Sequence, residues 1–278
     1  GSFTYFPASY YSIDTEGRCS SPVPSDYMSF VTNPGQRPAG VDAIGPDGQC
    51  LIEYQIKPGN AFPSARTYEE ELQNFANWFT YHRKRHQAMR SGILNAFAGI
   101  SGIRAGLFGF NDRPSTLAIL DIDTERFEFF DTLKGLVGSG GTPTREALNF
   151  IGEQLMRTGG SAPITRHCQK NFAILFTDGF AVPTSISGIG NEDGAAGAPY
   201  EDDYSSTLGD IAMRYYANNL RQDLAAHGVP TSNGCRSGSP NPLLDCNEQL
   251  HMVTYGVGLG VQGTIYGDTH SSRADAHA

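Results

Sequence analysis

Apolar residues recur at three- and four-residue steps from Leu72 through Phe75, Phe79, Met89, Ile93 and Phe97, with His82 and His86 in phase. That spacing predicts one amphipathic helix of about thirty residues starting at Tyr68. Thr67 ahead of Glu69, Glu70 and Glu71 supplies an N-terminal cap and an acidic first turn. Ile103 to Phe110 reads as a short buried strand and Leu117 to Leu120 as a second. Glu125 to Val137 reads as a helix with Phe127, Phe130, Leu133 and Leu136 on one face. A further helix runs from Pro143, well tolerated in a first turn, to about Arg157. Phe172 to Phe176 is an uninterrupted apolar run, the pattern of a strand covered on both faces. After an acidic, Gly-rich loop over 180–206, a helix is predicted from Thr207 to about Ala226, then a loop over 227–249 and a last strand from Met252 to Leu259.

Strands that alternate with helices predict an α/β fold built on a doubly wound, mostly parallel sheet. Residues 1–66 stand apart. They are rich in Pro, Gly, Ser and Tyr without sustained periodicity, and read as a loop-rich extension with one or two short strands. Tyr5, Phe6, Tyr10 and Tyr11 make it too aromatic for a solvated tail. The expected organisation is an irregular extension over 1–66 packed on a core domain over 67–262, followed by a polar, frayed tail over 263–278.

With 278 residues the chain can bury a substantial core. Its net charge of −9 argues against a nucleic-acid surface. The basic run Arg83-Lys84-Arg85 lies inside the helical pattern and reads as a solvated face. No segment has the roughly 18 apolar residues of a membrane helix, so membrane insertion is not expected. Nor does the N-terminus show a signal peptide. Gly1-Ser2 reads as a cloning scar, and the chain as an excised part of a longer product.

Five cysteines include no C-x-x-C pair, which disfavours zinc. Cys235 and Cys246 bracket a loop with little core of its own, and Cys19 and Cys50 a similar irregular stretch. Both pairs are expected to be disulfides, formed in an oxidising compartment. Cys168 is left over, either as a buried thiol or as the partner of a cysteine outside this chain.

The candidate chemistry concentrates in two places. Ser139 to Leu148 reads S-G-G-T-P-T-R-E-A-L, and the apolar strand ends in Phe176-Thr177-Asp178-Gly179. In wound sheets ligands sit beyond the carboxyl ends of the strands. Thr142 and Asp178 would therefore offer a hydroxyl and a carboxylate to a hard cation such as Mg²⁺. Spacing alone leaves open the plainer roles of helix cap and turn cap. Asn191, Glu192, Asp193, Glu201, Asp202 and Asp203 crowd one loop that could hold Ca²⁺, although the EF-hand order is absent and a solvated acidic loop is the alternative. His82 and His86 have zinc-ligand spacing, but three cations separate them, so ordinary helix histidines are expected. Gly138 to Gly141 lacks the Gly-Lys-Ser/Thr of a phosphate loop, and no G-x-S-x-G elbow is present. Nothing assembles a nucleophile with a base, and no enzymatic activity is expected.

The strings S-G-G-T-P-T-R-E-A-L and F-A-I-L-F-T-D-G resemble the von Willebrand factor A domain, whose metal-ion-dependent adhesion site takes a Thr from the first and an Asp from the second. Further strings resemble the N-terminal region of PilY-type proteins, the tip-associated adhesins and assembly factors of bacterial type IV pili. These include N-F-A-N-W-F-T-Y from Asn74, C-Q-K-N-F from Cys168, G-N-E-D-G from Gly190, T-L-G-D-I-A from Thr207 and H-M-V-T-Y-G-V-G-L-G from His251. The resemblance runs from about residue 67 to 262. It implies a von Willebrand A-type fold with long inserted loops and a non-enzymatic role in adhesion and pilus assembly. The implied partners are minor pilins and a surface or extracellular-matrix ligand, and the implied location is the pilus tip or outer cell surface. It also implies a divalent cation at Thr142 and Asp178. The chain departs from the pattern in one respect: the D-x-S-x-S string that completes such a metal site is absent. A metal-free scaffold that binds pilus subunits, and a hydrolase with an unrecognised site, are the alternative readings.

Overall fold

Tyr10, Ile52 and Tyr54 illustrate why the N-terminal segment is more ordered than its composition suggests. In the computed structural model, which describes residues 7–15, 41–44, 49–179, 181–197, 201–236 and 244–259, they lie on paired strands. β1 (Ser9–Ile13) and β2 (Ala43–Ile44) flank β3 (Cys50–Gln55) in an antiparallel sheet of order β1-β3-β2. Tyr10 stands opposite Tyr54 with the rings stacked at 5.7 Å, a cross-strand contact that fixes register. Val41, Ala43, Ile44, Ile52, Ile56 and Phe62 are buried around this sheet. Tyr5 and Phe6 lie outside the described residues.

The chain divides into two compact units, Gly1–Lys84 and Arg85–Ala278. The first unit ends in α1 (Tyr68–Tyr81), which carries the expected cap: Thr67 Oγ1 accepts from the Glu70 N–H, and Glu70 Oε2 accepts from the Thr67 N–H at 2.8 Å. Glu71 in its first turn is buried. Ser64 Oγ and Arg66 Nη1 donate to its carboxylate at 3.0 and 3.3 Å. Burial pushes this carboxyl up, but the Tyr10 hydroxyl, Ser64 and Arg66 more than offset that and hold it below the ordinary range. Burial and the facing Glu71 push the Tyr10 phenol up to about 12.

The predicted thirty-residue helix is two helices. α1 stops at His82, whose N–H bonds to Trp78 O, and α2 (Arg85–Ala98) starts after a break at 82–84. Consecutive cations suit a helix C-terminus, where they meet the exposed carbonyls, better than a helix interior. Arg83 folds back over the Phe79 ring at 4.0 Å. His82 thus caps the end of α1 while His86 lies within α2, so the two are not i, i+4 residues of one helix.

In the second unit, the predicted strand over Ile103–Phe110 shrinks to β4 (Arg104–Ala105), paired antiparallel with β5 (Leu120–Asp121). Glycines explain the loss. Gly102 has φ +71°, and a Cβ on Gly106 would lie 2.5 Å from Ala118 O. α3 (Arg126–Gly135) buries Phe129 and Leu133, with Phe129 stacked on Phe97 at 4.7 Å. Phe127, expected on that face, is 87% exposed.

The core forms around β6 (Asn171–Thr177) and β7 (Met252–Gly258), which pair in parallel over seven residues from Asn171↔Met252 to Thr177↔Gly258. Among the described residues these two form the parallel sheet. α4 (Thr144–Leu155) and α5 (Leu208–Ala217) back one face. Leu148 and Leu155 meet Ala173, Leu175, Ile211, Tyr215 and Met252. The helices approach closely because residue 152 is glycine: a Cβ there would fall 2.3 Å from the Tyr215 ring. The opposite face departs from the expected double coverage. Phe172, Ile174 and Tyr255 are each about half exposed. α5 also ends well before Ala226. Beyond Ala217 the chain turns through Asn218 and Asn219, and Arg221 pairs with Asp223 at 2.7 Å.

Cys235 and Cys246 are bridged as expected. Next to the bridge, Asp245 binds Tyr216 Oη at 3.0 Å and the buried His251 Nε2 at 2.9 Å, tying the loop to the start of β7. Burial pushes the Asp245 carboxyl up, but His251, the Asn247 N–H and Tyr216 outweigh that and hold it low. Cys50 is disulfide-bonded, and its expected partner Cys19 lies outside the described residues, as does the tail over 263–278. Cys168 is a free thiol and is exposed, which removes the buried-thiol reading.

Two stability outcomes follow. Gly152→Ala forces a methyl into a fixed, buried ring and should destabilise the second unit by about 1–3 kcal/mol, read as a lowered midpoint in chemical denaturation. Glu71, held below its ordinary range, contributes stability that is present above the unfolded-state value and lost as pH falls through the folded value. Glu71→Gln should therefore lower the stability of the first unit at neutral pH and flatten its acid dependence, measured by denaturation at pH 7 and pH 3.

Candidate functional site

β6 ends at Thr177, and the chain turns at once. Thr177 Oγ1 donates to Gly179 O at 2.9 Å and accepts from the Gly179 N–H at 3.2 Å, a local hydroxyl turn. Asp178 is thereby set at the carboxyl end of the strand with its side chain 59% exposed. The segment before α4 comes to the same place. A Cβ on Gly179 would lie 3.0 Å from Thr142 Oγ1, so glycine is what allows the threonine hydroxyl this close. Thr142 O accepts from the Val182 N–H at 3.0 Å and from the Thr144 N–H at 2.9 Å. The two segments singled out in the sequence, 139–142 and 177–179, therefore converge on one rim.

Two further parts of the rim are far away in sequence. Asn111 Nδ2 donates to Ser139 O at 2.6 Å and to Gly141 O at 2.8 Å, clamping the glycine loop. Gly140 sits at φ +82°, and a Cβ there would be 3.0 Å from the same amide nitrogen. Arg85, the first residue of α2, donates from Nη1 to Asp178 O at 2.9 Å, with that nitrogen 4.0 Å from Asp178 Oδ2. The next residue, His86, packs its Cβ 3.6 Å from the Cβ position of Gly138. The start of α2 thus touches both converging segments. Neither Asn111 nor Arg85 is marked by any local motif.

The electrostatics bear on the expected cation. Thr142 and Asp178 supply one hydroxyl and one carboxylate, and a guanidinium stands against that carboxylate. A divalent ion takes at least six oxygens, some of which are water for Mg²⁺. As folded, the pair does not by itself fit a resident metal. Among the described residues, no group of three or more His, Cys, Asp or Glu side chains is placed to hold one. Of the acids proposed for Ca²⁺, Glu192 Oε1 pairs with Arg214 Nη1 at 3.2 Å, and Asp202 Oδ1 accepts from the Tyr204 N–H at 2.7 Å. α4 begins without a side-chain cap, and the Thr144 hydroxyl beneath the rim is buried without a hydrogen-bond partner.

Comparison with known proteins points in one direction. The chain is 29% identical over 298 aligned residues to the type IV pilus biogenesis factor PilY1 of Pseudomonas aeruginosa strain PAK, covering 90% of this chain and 25% of that protein. It is 29% identical to PilY1 of strain PAO1 over 70% of the chain, and 27% identical to PilY1 of strain UCBPP-PA14 over 74%, covering 20% of each. The chain therefore spans a quarter or less of the length of these relatives. No family model and no solved structure matches it. The likeness bears out the resemblance read from the short strings: over most of its length, the chain is similar to PilY1-type type IV pilus biogenesis factors.

Proposed function

We propose that this chain is a non-enzymatic module of type IV pilus biogenesis and adhesion, displayed at the pilus tip or outer cell surface. The observation that carries the proposal is the likeness to PilY1 over 90% of the chain. A disulfide-restrained loop accords with an exported protein. No helix of the described residues is long and apolar enough to cross a membrane. We read the fold as of the von Willebrand A type, supported by a parallel strand pair backed by helices with Asp178 at a strand's carboxyl end. Within that reading the rim around Thr142, Asp178 and Arg85 is the contact surface for an adhesion ligand, and the minor pilins are the assembly partners. The rim presents a hydroxyl, a carboxylate and a guanidinium together, a set suited to polar and charged ligand groups.

Asp178→Ala in the full-length protein separates adhesion from scaffolding. Asp178 is exposed, so the fold should persist and surface pili should be counted at normal numbers by electron microscopy. Attachment to a surface should fall several-fold. Normal attachment with Asp178→Ala would show that the rim is not the adhesive surface and would favour the pure scaffold reading. Loss of pili together with attachment would assign the rim to assembly instead.

A further inference from the structure

On the PilY1-type reading, and independently of the rim, we infer that the uncovered face of the β6–β7 sheet is a docking surface for an amphipathic helix, supplied by a PilY1-type protein from outside the region this chain spans. In the parallel register Phe172 lies beside Val253, Ile174 beside Tyr255 and Phe176 beside Val257. Side chains alternate along each strand, so these six share one face, and its single polar atom is the Tyr255 hydroxyl oxygen. Phe172, Ile174 and Tyr255 are each about half exposed, with the Phe172 and Tyr255 rings 6.3 Å apart. The face packed under α4 and α5 carries Asn171 and Thr254 as well as Ala173, Leu175 and Met252. The open face is thus the more apolar of the two.

The sheet type selects a helix. Parallel strands are found with helices over both faces, because their crossover connections lay helices there. α4 and α5 take one face and leave the other to a further helix. The seven paired residues span about 23 Å, the length of roughly fifteen residues of α-helix. No charged side chain stands among the six, so the matching helix face is apolar as well, with residues at three- and four-residue steps. The size of the face selects the source. A stable contact between separate proteins takes roughly 20–30 residues a side. Six side chains are too few for a second copy or a free partner to hold by this face. A tethered segment needs less, since the tether removes most of the cost of association. This chain covers a quarter or less of the PilY1 relatives, and the remainder of such a protein is where a tethered helix would come from.

The test is maleimide labelling of Ile174→Cys in this chain and in the full-length protein, read peptide by peptide by mass spectrometry. Cys168→Ser removes the exposed thiol already present. Ile174 is half exposed, so the fold should persist, checked by an unchanged denaturation midpoint. In this chain the thiol at position 174 should label as fast as a free thiol. In the full-length protein it should label about tenfold more slowly, because labelling then waits on local opening. Tyr255→Glu sets a charge beside position 174 and should restore fast labelling in the full-length protein. A photo-cross-linker on the same thiol should capture a segment with apolar residues at three- and four-residue steps. Fast labelling in both proteins would overturn the docking surface, and slow labelling in this chain by itself would overturn the open face. Slowing that needs assembled pili would overturn the tethered source in favour of a separate partner. Capture of a segment with strictly alternating apolar residues would overturn the helix. None of these outcomes bears on the adhesion reading, which the Asp178→Ala attachment assay decides.

Discussion

The parallel pairing of β6 with β7 is closed on one face by α4 and α5, and the rest of the second unit is arranged around it. Parallel strands cannot be joined by a tight turn, so the chain between them must travel, and here it builds α5 and two long loops on the way. Burial of Leu148, Leu155, Ala173, Leu175, Ile211, Tyr215 and Met252 in one cluster sets the height of both helices on the sheet. The contact tolerates little change in volume, because Gly152 already lies against the Tyr215 ring, and that ring's hydroxyl is held by Asn149 at 2.7 Å. Once α4 is fixed at that distance, the segment that leads into it has one place to go. Its Thr142 comes to rest beside the turn that ends β6.

The rim is accordingly a product of core packing and not of its own interactions. Its local bonds are few: a hydroxyl turn at Thr177, the Asn111 clamp on the glycine loop, the Val182 bond to Thr142 O and the Arg85 contact to Asp178. Each is partly exposed and would be weak alone. Their geometry is imposed by a buried platform beneath, which is how a loop-built site gains definition without a large contact area of its own. Glycine takes part at two positions for different reasons. Gly140 adopts a left-handed backbone, whereas Gly179 leaves room for a neighbour's hydroxyl.

How much of this could be read from the sequence depends on the range of the cause. The capping box at Thr67, the apolar runs of β6 and β7, the span of α4 and the Cys235–Cys246 bridge are short-range patterns, and the structure has them where the sequence places them. The convergence of 139–142 with 177–179 was expected from motif strings and from the rule that strand ends carry ligands. Periodicity failed where charge or glycine overrode it. The helical repeat passes straight through 82–84, but the chain breaks there at Arg83 and Lys84, between α1 and α2. The apolar run from Ile103 cannot hold a strand across Gly106, where a Cβ would meet Ala118 O. In α3, a shift of two residues from Phe127 to Phe129 changes which side is buried, because the ring of Phe97 is what α3 meets, and no pattern within α3 records that. Arg85 and Asn111 were invisible for the same reason: their rim partners lie 93 and about 30 residues away.

The two halves of the sheet pair also differ in what can disturb them. The packed face is apolar and buried, so its stability follows area removed from water and responds little to salt. The rim holds a carboxylate and a guanidinium at the surface, where ions screen within about 8–10 Å at physiological strength. A change in ionic conditions therefore acts on Arg85 and Asp178 while the platform under them stays fixed. The rim thus joins a rigid base that keeps Thr142 and Asp178 in place to a charged edge that responds to ionic strength.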